Sequence, residues 1–227
     1  MTLSPPSTTA TSSPHSGIVD RFHWDWYQRA EPSSELLGDL TDRTVVEIGA
    51  GSGRQAAYLA RVHRPARVVA VDRDPAQHAR GRERFGDISR LELVCDDAAT
   101  YMAKHPDTFD VAYCVFGALD FTDPDELLPA IAEGLRPGGL LVFSTLAHYR
   151  TGRAPETESR PATISTRRPD GTPGTMLRWV LDIPVWHRLC DEHGFETTHT
   201  DTIHDPGSAY DPPIATNVFR AVRRRAA

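Results

Sequence analysis

Val45-Val46-Glu47-Ile48-Gly49-Ala50-Gly51-Ser52-Gly53-Arg54 is the stretch from which the rest of the chain is read. A β-branched run carrying one acid breaks into glycines at every second position. Such a pattern predicts a buried strand that turns sharply and lets its backbone approach a ligand at the start of the next helix. The register bears on which ligand. A dinucleotide loop wants its third glycine where Arg54 stands, and an acid at Glu47 has no use beside a pyrophosphate. A ligand with positive charge makes the same carboxylate favourable.

Outward from this loop, short β-branched runs alternate with longer amphipathic stretches, the signature of a parallel sheet with crossover helices. Strands are expected at Thr44–Ile48, Arg67–Asp72, Leu91–Cys95, Phe109–Val115 and Leu140–Thr145, with two more at Glu196–His204 and Ala215–Val222. Apolar residues at helical spacing predict helices at Arg54–Val62, Pro75–Arg84, Ala98–Lys104, Pro124–Leu135 and Pro184–His193. Arg136-Pro137-Gly138-Gly139 stops the fourth of these and leads into the next strand. The last two strands are close enough to form a hairpin, which predicts an antiparallel strand at the edge of an otherwise parallel sheet. Residues 148–178 hold Gly, Pro, Arg and Thr without a clear period and read as a long loop, insertion or lid. Residues 18–40 read as N-terminal cap helices, and the Ser-, Thr- and Pro-rich stretch 1–17 as a disordered tail ahead of a single domain over 18–227.

The ends of strands two and three add chemistry. Asp72 offers two oxygens to the hydroxyls of a ribose, with Arg73 beside it; Asp97 offers a carboxylate to an exocyclic adenine amine, and the backbone of Ala98 can donate to a ring nitrogen. S-adenosylmethionine combines such a nucleoside with an ammonium and a sulfonium, which suits Glu47. In this order and spacing, the glycine loop, Asp72, Asp97-Ala98, Phe109-Asp110 and Leu135-Arg136-Pro137-Gly138-Gly139 resemble the class I S-adenosylmethionine-dependent methyltransferases, from about Thr44 to the C-terminus. The resemblance implies a Rossmann-like, doubly wound, seven-stranded sheet, mostly parallel with one reversed strand in the edge region. It carries cofactor contacts onto Glu47, Gly49, Ala50, Gly51, Asp72 and Asp97, and implies that Val115, Phe116 and Gly117 line the place where methyl group and acceptor meet. S-adenosylhomocysteine would be the product.

Methyl transfer from a sulfonium is an in-line displacement, so a dedicated base is optional. Should the acceptor be a hydroxyl or a protonated amine, His148 after strand five is the first candidate base, Asp120 after strand four the second and His204 the third. Among the aromatic residues, Trp26 shares a helical face with Val19 and Phe22 and is assigned to the core, whereas Trp24 points elsewhere and is a candidate substrate contact, as are Tyr149, Arg178 and Trp179.

Composition bounds the function. A net charge of −6 opposes nucleic-acid binding, and the terminal Arg223-Arg224-Arg225 reads as a solvated end. No apolar run approaches the length of a membrane span, and the N-terminus lacks a secretory signal. Three widely spaced cysteines, Cys95, Cys114 and Cys190, give neither a metal pair nor a disulfide framework, so no metal is expected and a reducing cytoplasm is the default. The reading is a methyltransferase for a small amine, hydroxyl or activated carbon, in specialised metabolism. Two alternatives stay open: an enzyme of this fold that keeps the cofactor without moving its methyl group, such as a cyclase or lyase, and a non-catalytic ligand-binding protein.

Overall fold

The computed structural model describes residues 21–28, 31–167, 170–204 and 213–225; the expected tail at 1–17 lies outside them. After a 3-10 turn at Ser34–Leu37, the elements run β1 (Thr44–Ile48), α1 (Arg54–Val62), β2 (Arg67–Asp72), α2 (Pro75–Phe85), β3 (Leu91–Cys95), α3 (Ala98–Ala103), β4 (Phe109–Val115), α4 (Ala118–Phe121), α5 (Pro124–Gly134), β5 (Leu135–Leu146), β6 (Ala162–Arg167), β7 (Pro173–Arg178), α6 (Ile183–Glu192), β8 (Phe195–His204) and β9 (Ala215–Arg223). Aspartates start four of the helices. Asp74, Asp97, Asp123 and Asp182 each accept a backbone N–H from the first turn of α2, α3, α5 and α6, and a proline in the first turn of α2, α5 and α6 presets the helical backbone.

Seven strands form one sheet in the order β3-β2-β1-β4-β5-β9-β8. β1 to β5 pair in parallel, and β9 runs antiparallel to both β5 and β8. The reversed strand is therefore one place in from the edge, and the edge belongs to β8. Burial explains the order: β9 is apolar and covered along most of its length, whereas β8 alternates Thr, His and Asp toward solvent. Strand pleating divides the core. Val46 and Ile48 pack among residues of α3, α5 and α6, while Val45 on the other face packs with α1, Phe22 and Trp24. From β1 the chain winds outward to β2 and β3, then returns to place β4 on the other side of β1. That reversal opens a crevice at the carboxyl ends of β1 and β4.

Two expectations are corrected. Residues 21–28 form turns and bends instead of a cap helix, and the only regular structure among the described residues of 18–40 is the short turn at Ser34–Leu37. This strap is tied down from outside: the N–H of His23 donates to Gln55 Oε1 (3.1 Å) and Gln55 Nε2 donates back to the His23 carbonyl (2.9 Å). The stretch 148–178 is not irregular throughout, because β6 and β7 pair as a separate antiparallel hairpin. Ala-Thr-Ile-Ser-Thr-Arg and Pro-Gly-Thr-Met-Leu-Arg carry too few apolar residues to reveal their period of two. Among the described residues, no helix is long and apolar enough to cross a membrane.

Candidate functional site

Two adjoining cavities, of about 370 and 420 Å3, open at the crevice and share Gly49, Gly51, Gln77 and Phe116. The loop between them hangs from β2: the N–H groups of Gly49 and Ala50 both donate to the Val71 carbonyl (2.9 and 3.0 Å), and that of Gly51 donates to Asp72 Oδ2 (2.6 Å). Gly49 is indispensable to this geometry. Its φ is +74°, and a Cβ there would stand 2.2 Å from the Ala118 nitrogen; a Cβ on Gly117 would stand 2.6 Å from the Gly49 and Ile48 carbonyl oxygens. The β1 loop and the β4–α4 turn thus meet backbone to backbone. Gly51, at φ +55°, would meet nothing within 4 Å.

Asp72 sits at the lip of the first cavity with Arg73, and its second oxygen accepts the Asp74 N–H (2.9 Å). Both oxygens keep a further lone pair for a ligand. The capping of α2 falls to Asp74, which accepts the Ala76 N–H (2.8 Å). Asp96, Asp97 and Ala98 line the same cavity; Asp97 Oδ1 accepts the Thr100 N–H (3.0 Å) as the cap of α3, and Asp96 pairs with Lys104 (3.0 Å).

Glu47 lines the second cavity and is 4% exposed. One oxygen accepts the Ala56 N–H in the first turn of α1 (3.1 Å), satisfying a helix donor that has no intrahelical partner. Burial, with a smaller contribution from the Asp72 charge, pushes its pKa up to about 8. Tyr113 lies beside it, its own pKa driven well above the ordinary value by burial and by Glu47. At neutral pH Glu47 is therefore mostly protonated, and a cation in the cavity favours its ionisation.

Val115 and Phe116 line the second cavity. Phe116 has φ +48°, an arrangement that costs a bulky residue about 1–3 kcal/mol and collects at functional sites. Its N–H donates to the Ser144 carbonyl (3.1 Å), and its ring meets that of Trp26 edge-on at 5.3 Å.

The substrate and base candidates fare differently. Trp24 is fully buried against Phe22 and Tyr113, its Nε1 donating to the Ser33 carbonyl (2.7 Å), so it is core; Trp26, which the helical face assigned to the core, is the residue that lines the cavity. The exchange follows from the absent helix: Trp24 lies in a stretch without regular structure, and the turn that the Gln28 N–H closes on the Asp25 carbonyl (3.1 Å) redirects the chain at Trp26. His148 lines neither cavity, and its ring nitrogens face the Tyr149 and Pro213 carbonyls (2.9 and 3.0 Å). Asp120 is buried in α4 as the ion-pair partner of Arg178, with burial pushing its pKa up to about 6 against the pull of the guanidinium. His204 is exposed on β8. Trp179 packs in the core beside Trp186 and Val185. Tyr149 and Arg178 come together, but in a separate cavity.

Sequence reasoning missed Asp25, a buried carboxylate lining the second cavity, which lies in no motif and is brought in by the strap. Met176 of β7, which the sequence offers with Arg178 and Trp179 to an acceptor pocket, reaches the first cavity.

Residues 45–139 match the family described as methyltransferase domain. The matched stretch carries Glu47, Asp72 and Asp97, three acids of the crevice. The ubiquinone biosynthesis O-methyltransferase of Klebsiella pneumoniae subsp. pneumoniae is 30% identical over 121 residues, 53% of this chain and 49% of that protein, so the chain spans about half the length of the curated relatives it matches. Among solved structures, an S-adenosylmethionine-dependent methyltransferase from Mesorhizobium loti superimposes with a TM-score of 0.59 at 18% identity over 83% of this chain and 94% of that one. The 1,6-didemethyltoxoflavin-N1-methyltransferase of Burkholderia thailandensis, solved with bound 1,6-didemethyltoxoflavin and S-adenosylhomocysteine, superimposes with a TM-score of 0.55 at 21% identity over 82% of this chain and 72% of that one. These two likenesses concern the fold.

Proposed function

We propose that this methyltransferase domain binds S-adenosylmethionine across the two joined cavities and methylates a small molecule, at an amine, hydroxyl or activated carbon, in specialised metabolism. The observation that carries the reading is the convergence of Glu47, Asp72 and Asp97, from three different strand ends, on one crevice whose floor is Phe116. In this reading Asp72 accepts the ribose hydroxyls, Asp97 and the Ala98 N–H hold the adenine edge, and the open space over Gly51 admits the ligand backbone. Glu47 and Asp25 flank the place for the ammonium. When bound, the cofactor supplies a methyl group on a sulfonium sulfur, ready for in-line displacement.

Phe116 and Trp26 exclude water from that centre, and because no histidine lines either cavity among the described residues, rate enhancement rests on holding the nucleophile close and aligned. The test is incubation with labelled cofactor and a panel of small amines, phenols and acids, followed by mass analysis for one added methyl group. Failure of S-adenosylhomocysteine to bind in calorimetry refutes the reading.

Two further results are expected. Asp72→Ala weakens S-adenosylhomocysteine binding by about 1.5–3 kcal/mol through lost charge-assisted hydrogen bonds; unchanged affinity in the titration means that the ribose lies elsewhere. For Glu47, the sign follows from a pKa raised in the folded state from 4.5 to about 8: the free protein loses stability as pH climbs between those values. A bound ammonium prefers the carboxylate, so ligand affinity rises with pH up to about 8, and binding at pH 7 releases a proton. Calorimetry in buffers of different ionisation enthalpy measures that release, and Glu47→Gln should abolish it while flattening the pH profile of stability.

A further inference from the structure

Beside the cofactor crevice lies a third cavity, of about 540 Å3, formed where the chain beyond β5 meets the β6–β7 hairpin. Arg150, Arg153 and Arg178 line it with Tyr149, Thr163 and Ser165, and among the described residues no carboxylate lines it. Three guanidiniums line one hollow in a chain of net charge −6. Counter-charges stand outside the walls: Glu156 pairs with both Arg153 and Arg160, and Asp120 pairs with Arg178. Among the described residues, the buried Nε of Arg178 has no hydrogen-bond partner.

The cavity is joined to the methyl-transfer region through one aromatic side chain. Arg150 and Arg178 lie over the Trp26 ring at 5.5 and 5.4 Å, and Phe116 meets the same ring edge-on at 5.3 Å. Arg178 also stacks on Phe121 (5.1 Å), and Arg153 on Tyr149 (4.4 Å). Stacking fixes the plane of a guanidinium and leaves its edge donors in place to take an oxyanion in two parallel hydrogen bonds.

We infer that this cavity binds a carboxylate or phosphate group of the methyl acceptor, so that the acceptor is an acid whose nucleophilic atom lies on the Phe116 side of Trp26. The inference rests on the methyltransferase reading and adds to it the charge class of the substrate. Benzoate, phenyl phosphate and the neutral benzamide are suitable probes, titrated into the full chain with and without saturating S-adenosylhomocysteine. At least one of the two anions should bind ten times more tightly than benzamide, and the tighter one tells carboxylate from phosphate. Arg150→Gln with Arg153→Gln, both at exposed positions, should erase the preference while leaving S-adenosylhomocysteine affinity and the melting temperature in place; Arg150→Gln alone serves if the double variant melts early. Equal binding of the three probes, no binding of either anion, or a preference that survives the substitutions overturns the inference. Loss of S-adenosylhomocysteine binding in the wild-type protein instead overturns the function proposed above, and the probe titrations made without it still decide the charge class of the cavity.

Discussion

Gly49→Ala is expected to destabilise the fold by about 3–5 kcal/mol, combining the left-handed backbone penalty with overpacking against a backbone that has nowhere to move. The alanine Cβ would be placed 2.2 Å from the Ala118 nitrogen and 2.9 Å from Gly117 atoms, in a loop already held by two hydrogen bonds to the Val71 carbonyl. Retreat of α4 is opposed from behind, since the Asp120 carbonyl accepts the Trp179 N–H (2.9 Å) and its side chain pairs with Arg178. A fall in melting temperature of roughly 10 °C is the corresponding signal for a chain of this size. Gly51→Ala is the contrasting arm. It carries only the backbone penalty, of about 1–2 kcal/mol, because a Cβ there meets nothing within 4 Å; its cost falls on ligand binding, because that space belongs to the cavity. If both variants melt together, the close approach of the β1 loop to the β4–α4 turn is not what makes Gly49 necessary.

Arg178→Met is the second substitution with a large expected effect, a loss of about 3–5 kcal/mol. Arg178 and Asp120 are 5% and 1% exposed, and Asp120 Oδ1 already lacks a partner among the described residues. Removing the guanidinium leaves a carboxyl in an apolar site, where only its protonated form is tolerable. Its folded-state pKa, already raised from 3.8 to about 6, rises further without Arg178. The free-energy loss in the variant should accordingly grow between pH 5 and pH 8, as the unfolded state comes to hold fewer protons than the folded one. Arg178→Met combined with Asp120→Leu should recover most of the loss, since an apolar pair of similar volume avoids desolvating either charge. Chemical denaturation of the four proteins of this cycle, at both pH values, measures the coupling. A single variant that loses under 1 kcal/mol means the pair does not hold the hairpin to α4.

How much of this was legible in the chain follows from how local each signal is. The parallel strands and the helices between them came with their own periods, and β1 to β4 end where their β-branched runs end. The hairpin β6–β7 stayed hidden because its faces are both polar or half-exposed. The helix α4 spans four residues, too few for a repeat of 3.6 to register. Asp97 was read as an adenine contact and lines the cavity, while also capping α3, a second use of the same side chain that its position before Ala-Ala-Thr allows. Trp24 and Trp26 were exchanged because helical spacing was applied to a strap of bends and turns that Gln55 and Thr216 hold across the site.

The glycine loop after β1 and the acids closing β2 and β3 were determined by the sequence itself, since a strand end, a forced turn and a carboxylate are properties of a few adjacent residues. What only the tertiary structure decided is everything that depends on residues far apart: that Asp120 and Arg178 neutralise each other, that His148 faces carbonyls away from the crevice, and that Trp26 stands between the crevice and a cavity walled by three arginines. The physical reason is the same in each case. Burial and charge pairing are set by which surfaces the folded chain brings into contact, and a side chain's role follows from those neighbours and not from its place in a motif.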